Sequence, residues 1–221
     1  MGADHPFATV WKAAAVAAAV VLVANTAGSV SGAVSPDRQA LWQKYHRPAQ
    51  IPFPTDDPYS EAKLKLGRML FFDPILSGSQ SRSCASCHNP GLSWADGQPR
   101  AVGEKQEALP LRTPTLLDVA WTPLLGWTGH FRDLESVAMV PITAANNMNL
   151  PEHVLIERLA AIPVYVDAFN AAFGQGEITG KKIEMALATF ERSIVSTRAP
   201  FDRWIDGDPA AISESAKRGF D

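Results

Sequence analysis

The spacing of apolar and polar positions predicts helices over much of the second half of the chain. In the segment 179–197, apolar residues recur at helical intervals and would share one buried face: Ile183, Ala186, Leu187, Phe190 and Ile194. Thr179 is a suitable N-cap for this helix, and Gly174 is a suitable end for the helix before it. Similar spacing predicts helices over 134–142, 151–161 and 163–173.

The first half of the chain is less regular. One helix is predicted over 60–70, with Ser60 as N-cap and an apolar face formed by Leu64, Leu66, Met69 and Leu70. Residues 77–130 are rich in Gly, Pro, Ser and Trp and have neither sustained alternation nor a helical period. Such a stretch is unusual in a globular domain unless it encloses a ligand. We therefore predict a mostly α domain whose long irregular loops wrap a large, flat, apolar group.

The N-terminus has the pattern of a secretory signal peptide. Lys12 precedes the apolar run AAAVAAAVVLVA, and Ser31-Gly32-Ala33 offers a cleavage site, so residues 1–33 are predicted to direct export to the periplasm. The run is shorter than the roughly 20 residues that span a bilayer, although an uncleaved anchor or a buried alanine-rich helix are alternatives. Residues 34–59 are polar and proline-punctuated, which predicts an extended arm.

Charge and composition exclude few functions beyond nucleic-acid binding. The chain has 221 residues, 46% of them hydrophobic, with 20 basic and 23 acidic residues and a formal charge of −3. No run of like charges would attract nucleic acid or an acidic membrane surface.

The sequence SCASCH contains both cysteines of the chain and ends in His88. Cys-x-x-Cys-His is the attachment motif of c-type haem, in which Cys84 and Cys87 add to the two vinyl groups and His88 ligates the iron. A disulfide, a thiol redox pair and half of a zinc site are the alternatives. A closed zinc site needs four protein ligands, and the sequence has no second Cys pair or His cluster to supply the other two. A thiol redox pair is typical of a βαβ unit, which the pattern does not predict.

The ligand at the sixth position of the iron decides the chemistry. A second strong ligand would give an electron carrier, whereas an open or displaceable position lets peroxide bind. The candidates for this position are His130, His153, Met139, Met148 and Met69.

Around this motif the sequence resembles the N-terminal haem region of the bacterial di-haem cytochrome c peroxidase and MauG family. The resemblance covers about residues 55–219 and is carried by LGRMLFFDPILSGSQSRSCASCHNPGLSWADGQP, LRTPTLLDVA, WTGHFRDLESVA, MNL and ATFERSIVSTRAPFDRWIDGD. It implies a cytochrome c-like haem domain over 60–208, with Cys84 and Cys87 as anchors and His88 as the proximal ligand. Trp127 matches a tryptophan that lies between the two haems of the family.

The resemblance also implies substrates and partners. Family members reduce hydrogen peroxide with electrons from a small cytochrome or cupredoxin, or use peroxide to oxidise a partner protein. A homodimer is also compatible with the resemblance. The exported chain is accordingly predicted to be a peroxide-dependent haem c oxidoreductase. A single-haem electron-transfer module, or an inactive fragment of a di-haem enzyme, is the alternative.

Several residues depart from the family pattern. The position of the displaceable distal histidine falls on Glu104, which could substitute as an acid/base group near the distal face. Asn147 stands in place of an acid/base glutamate, and an amide can hold peroxide by hydrogen bonds but cannot exchange a proton. His130 replaces an arginine and could be a polar distal group. Arg112 replaces a calcium-binding asparagine, so no calcium site is predicted.

The end of the sequence suggests a further domain. Residues 209–221 resemble the opening helix of the second haem domain of the family, and no second Cys-x-x-Cys-His motif is present. We expect the sequence to be part of a longer di-haem protein, with a single-haem relative as the other interpretation.

Overall fold

The computed structural model describes residue 40 and residues 42–220. The predicted signal peptide, residues 1–33, lies outside the described residues. From Lys44 onward the chain forms one compact unit, which includes the second part of the predicted arm. Within this unit the Arg47 guanidinium donates a hydrogen bond to the backbone oxygen of Ser196 at 2.8 Å, and Asp57 forms a buried ion pair with Lys63.

Eight α-helices occur in residues 44–220. They are α1 (Glu61–Phe72), α2 (Cys84–Cys87), α3 (Leu134–Thr143), α4 (Glu152–Ala160), α5 (Pro163–Phe173), α6 (Gly180–Arg192), α7 (Pro200–Ile205) and α8 (Glu214–Phe220). Residues 42–220 contain three isolated β-bridges and no strand. The prediction of a mostly α fold with a long irregular segment between α2 and α3 is confirmed.

Side-chain caps define the starts of α1 and α6, and a tertiary contact explains the largest deviation from the predicted helix ends. The hydroxyls of Ser60 and Thr179 accept hydrogen bonds from the third residue of α1 and α6, as expected of N-caps. Helix α6 ends at Arg192, five residues before the predicted end, because the Asp118 carboxylate accepts a hydrogen bond from Ser196 N at 2.9 Å. That contact replaces the helical acceptor for this amide and holds the chain in an extended course.

The apolar face of α1 differs from the prediction at one position. Leu66 and Leu70 are fully buried, as predicted, and Leu64 packs against the core. Met69, in contrast, is 37% exposed, and Phe71 is buried instead. The buried face of α1 is therefore rotated toward Phe71, which leaves the Met69 side of the helix at the surface.

The core lies where α1 crosses α6. At this crossing a Cβ atom on Gly67 would lie 1.9 Å from the Ala186 carbonyl oxygen, so only glycine lets the two backbones approach so closely. Helix α6 also packs against α3, and α5 packs against α1. In residues 42–220, none of the helices is long and apolar enough to cross a membrane.

Candidate haem-binding site

A single helical turn, α2, places the residues of the Cys-x-x-Cys-His motif together. The Ser83 backbone N–H donates to Ser86 Oγ at 3.0 Å and fixes the start of the turn, and the His88 N–H donates to the Cys84 carbonyl at 2.8 Å and closes it. Residues at spacings of three and four share one side of a helix. Accordingly, Cys84, Cys87 and His88 all line the same cavity.

The cavity has a volume of about 630 Å³, within the range typical of ligand and cofactor pockets. Its wall is built largely from the irregular segment 101–131 and from one side of α3. The apolar contributors include Leu109, Leu116, Val119, Leu125, Phe131 and Val137. The segment predicted to wrap a flat apolar group therefore does enclose a cavity of suitable size.

The His88 imidazole is arranged as an iron ligand would be. Its Nδ1 lies 3.1 Å from the Trp94 backbone carbonyl, and since a carbonyl can only accept, the neutral ring that donates this bond from Nδ1–H has an unprotonated Nε2 that can bind a metal. Burial lowers the pKa of His88, against smaller opposing effects from hydrogen bonds with the Trp94 and Pro114 backbones. The lowered pKa favours the neutral ring that metal ligation requires.

The two thiols fit covalent attachment better than the alternatives. Both cysteines are free, which argues against a structural disulfide. Burial raises the pKa of the Cys84 thiol, and the Glu191 carboxylate adds to the effect, so this thiol is a poor redox nucleophile. Among the described residues no cluster of three or more His, Cys, Asp or Glu side chains could hold a metal ion. The donor set and the apolar cavity therefore fit haem c.

Three of the other predicted site residues also line the cavity: Trp127, His130 and Asn147. Trp127 lies at the rim, 54% exposed, and its indole N–H donates to the Arg112 carbonyl at 2.8 Å. His130 Nδ1 lies 2.5 Å from Thr128 Oγ1 in a hydrogen bond, and its ring packs 4.0 Å from that of Phe131.

Glu104 is placed elsewhere. It does not line the cavity, and its carboxylate accepts a hydrogen bond from the Ser79 backbone N–H. Its own backbone N–H donates to the Asn147 carbonyl at 2.8 Å, so the two residues are neighbours although only the asparagine faces the cavity. The spacing from the motif placed Glu104 near the site but did not determine the direction of its side chain, and its role beside the distal face stays a prediction.

The candidates for the sixth iron ligand separate clearly. Met148, 4% exposed, and His130 line the cavity. Met139 is buried outside the cavity wall, and His153 and Met69 are exposed and lie outside it. Only two of the five candidates therefore remain in reach of a group bound in the cavity.

Glu191, which sequence reasoning missed, is also part of the cavity wall. Burial raises its pKa to about 8, the neighbouring Arg192 opposes this, and Glu135 adds to it. The sequence did contain a signal for this position, because Glu191 follows Leu187, which also lines the cavity, by one helical turn of α6.

The raised pKa of Glu191 predicts a pH-dependent stability. As pH rises from 4.5 to about 8, the Glu191 carboxyl loses its proton in the unfolded chain but keeps it in the folded chain. The free energy of unfolding should therefore fall across this pH range. Urea titrations across this pH range should show a smaller fall for Glu191→Gln than for the wild type. Glu157→Gln, on the exposed side of α4, is the control, and parallel pH curves for all three proteins would contradict the assignment.

Comparison with known proteins places the chain in a family. The family model described as di-haem cytochrome c peroxidase matches residues 61–210. The methylamine utilization protein MauG of Methylorubrum extorquens is 46% identical over 203 residues, which cover 91% of this chain and 58% of the relative. The cytochrome c551 peroxidase of Pseudomonas aeruginosa is 33% identical over 175 residues, covering 78% of this chain and 51% of the relative.

A solved structure supports the same family assignment. A crystal structure of a MauG-like protein associated with microbial copper homeostasis has a TM-score of 0.72 and 30% identity, covering 80% of this chain and 53% of that one. The chain belongs to the di-haem cytochrome c peroxidase family. It spans 58% or less of the length of these relatives.

Proposed function

We propose that this chain is a haem domain of an exported, peroxide-dependent c-type haem oxidoreductase. The observation that carries the proposal is that Cys84, Cys87 and His88 meet on the wall of one apolar cavity of about 630 Å³. Membership of the di-haem peroxidase family supports the reaction class. The substrate would be hydrogen peroxide, and the partner a small electron-donor protein or a protein that is itself oxidised. Periplasmic location is inferred from residues 1–33.

The residues divide into those that hold the cofactor and those that meet the substrate. Cys84 and Cys87 would hold haem c as thioethers, and His88 would bind its iron, which supplies electron transfer and a site for peroxide when bound. Asn147 would orient peroxide by hydrogen bonds from its side-chain amide, and His130 offers a second polar group in the same wall. The apolar wall excludes water and strengthens these hydrogen bonds.

A single-haem electron-transfer module is a second candidate function. It is favoured by one observation: Met148 and His130, either of which could complete the iron coordination, both line the cavity. The spectrum of the ferric protein separates the two functions. A high-spin spectrum that changes on addition of peroxide supports the peroxidase, and an unresponsive low-spin spectrum supports the electron carrier.

Restoring a carboxyl group at position 147 is expected to increase peroxide turnover. Asn147→Glu puts a proton-exchanging group into the cavity wall, and general acid–base catalysis is typically worth about 10²- to 10⁴-fold. We therefore expect peroxide-dependent oxidation of a small-molecule donor to rise at least about 10²-fold.

The matched control for this variant is Ala145→Glu. It adds the same charge two residues earlier, at an exposed position of the same loop that does not line the cavity. Equal rates for Asn147→Glu, Ala145→Glu and the wild type would show that position 147 does not meet the peroxide.

A further inference from the structure

Two side-chain hydrogen bonds join neighbouring loops beside His88. Thr113 Oγ1 donates to Asp96 Oδ2 at 2.8 Å, and Thr115 Oγ1 donates to the Ser93 carbonyl at 2.5 Å. We name this pair of bonds the threonine clamp. Both threonines line the cavity, and the Thr113 side chain is buried. Because each loop is bonded to the other at two points, the clamp holds the two loops in a fixed relative position.

The threonine clamp encloses the hydrogen-bond partners of His88. On one loop, Ser93 and Asp96 lie on either side of Trp94, whose carbonyl lies 3.1 Å from His88 Nδ1. On the other loop, the two threonines flank Pro114, whose backbone is a further hydrogen-bond partner of the ring. Since a carbonyl can only accept, both interactions favour a proton on Nδ1 and leave Nε2 for the iron. The clamp therefore acts on the iron ligand through the acceptors of its Nδ1 proton.

The loop that supplies the Trp94 carbonyl has an unfavourable backbone conformation. Ser93 and Trp94 have φ angles of 56° and 58°, in the left-handed region that residues other than glycine seldom adopt. Such residues persist where the surrounding structure holds them, and they are concentrated at functional sites. The threonine clamp supplies this restraint, because one of its bonds is made at Ser93 itself and the other at Asp96, two residues beyond Trp94.

Asp96 also brings a negative charge to the site. One of its carboxylate oxygens accepts the hydrogen bond from Thr113, and the other accepts from the Gln98 backbone N–H at 3.0 Å. Burial lowers the pKa of His88, and the Asp96 carboxylate is among the smaller effects that oppose it. A carboxylate that favours positive charge on the ring also favours the more positive, ferric state of an iron bound to that ring.

We propose that Asp96, Thr113 and Thr115 are positioning residues for His88 that lower the reduction potential of the iron it binds. The proposal rests on the haem-binding function proposed above. The clamp holds the Trp94 carbonyl against Nδ1, which raises the basicity of Nε2 and makes the imidazole a stronger ligand for ferric iron. The charge of Asp96 acts in the same direction. Loss of either contribution is therefore expected to raise the potential.

Removal of single hydroxyl groups tests the clamp. Thr113→Val keeps the shape of the buried side chain but cannot donate to Asp96. In the haem-loaded chain, the ratio of reduced to oxidised haem at a fixed applied potential should rise about twofold to tenfold, as expected for one lost hydrogen bond. The electron paramagnetic resonance spectrum of the ferric iron should change as well, because it depends on the orientation and strength of the histidine ligand.

Conservative and matched variants separate this role from a purely structural one. Thr115→Val should shift the potential in the same direction, and Thr113→Ser, which keeps the hydroxyl group, should restore the wild-type potential and spectrum. Thr143→Val is the matched control. It also removes a hydroxyl hydrogen bond, to the Met139 carbonyl at 3.1 Å, but lies outside the cavity wall and should leave the potential unchanged.

A substitution at Asp96 separates charge from position. Asp96→Asn keeps an oxygen that can accept from Thr113 but removes the charge. The potential should rise, while the paramagnetic resonance spectrum should change less than in Thr113→Val. Asp167→Asn removes the same charge from an exposed position on α5 and should leave both measurements unchanged. Asp96→Asn and Thr115→Val decide the question if Thr113→Val does not fold.

The outcomes distinguish failure of this proposal from failure of the proposed function. If the wild-type chain binds no haem, both are wrong. If it binds haem and the variants at Asp96, Thr113 and Thr115 keep the wild-type potential, only the positioning role is wrong. Equal shifts in the clamp variants and in their controls would also overturn the proposal, because the shifts would then reflect a general loss of stability.

Discussion

Cys84→Ser/Cys87→Ser is expected to carry no covalently bound haem, whereas the wild-type chain carries one. Both thiols line the cavity and both are free, so they are the groups placed to form thioethers. Serine keeps the size and the polarity of the side chain but cannot add to a vinyl group under these conditions. The measurement is haem staining after denaturing electrophoresis, which reports only covalent attachment.

Replacement of the histidine separates attachment from ligation. His88→Ala should retain covalent haem through the two cysteines but should change the absorption spectrum of the iron, because Nε2 is lost. His153→Ala is the matched control, since His153 is exposed and does not line the cavity. Covalent haem in the double cysteine variant, or the same spectrum for both histidine variants, would contradict the site described here.

Arg192→Met is expected to lower the free energy of unfolding by about 3–5 kcal/mol, the usual cost of removing one partner of a buried ion pair. The Arg192 guanidinium donates to both carboxylate oxygens of Glu135, at 2.6 and 2.8 Å, and the two side chains are only 6% and 7% exposed. Burial by itself would raise the pKa of Glu135, but the hydrogen bonds from Arg192 help to hold it below its usual range. The variant would leave this carboxylate buried and unpaired between α3 and α6. Urea-induced unfolding measures the effect.

An exposed ion pair provides the control for this variant. Lys181 and Glu184 are 3.9 Å apart at the surface of the same helix, and Lys181→Met should cost less than about 1 kcal/mol. The double variant Glu135→Leu/Arg192→Met should recover much of the lost stability, because no charge then remains buried. Equal stability losses for Arg192→Met and Lys181→Met would show that the buried pair does not join α3 to α6 as described.

Local chemistry made much of the fold predictable. Helix α5 occupies the predicted residues 163–173, and the caps at Ser60 and Thr179 form as expected, because capping and periodicity act within a few residues. The end of α6 was not predictable from α6 itself, since it depends on Asp118, which is 78 residues away from Ser196 in sequence. The exposure of Met69 likewise depends on how α1 is rotated against α6.

The site likewise combines features that follow from local sequence with features that depend on the tertiary fold. Spacing alone brought Cys84, Cys87 and His88 together, since one helical turn determines their arrangement. Glu104 and Glu191 show the limit of this reasoning. Glu104 lies in a loop whose side-chain directions depend on the surrounding fold, and it bonds Ser79 instead of facing the cavity. Glu191 reaches the cavity only because α6 packs beneath it.

The mass of the chain, produced in a host with c-type haem maturation, shows directly whether Cys84 and Cys87 hold a haem. We expect a mass one haem above that of the polypeptide, with the added mass located by peptide mapping to a fragment that contains Cys84 and Cys87 and has no free thiol. A chain of unmodified mass, or one lighter by two hydrogens because Cys84 and Cys87 have formed a disulfide, would contradict it.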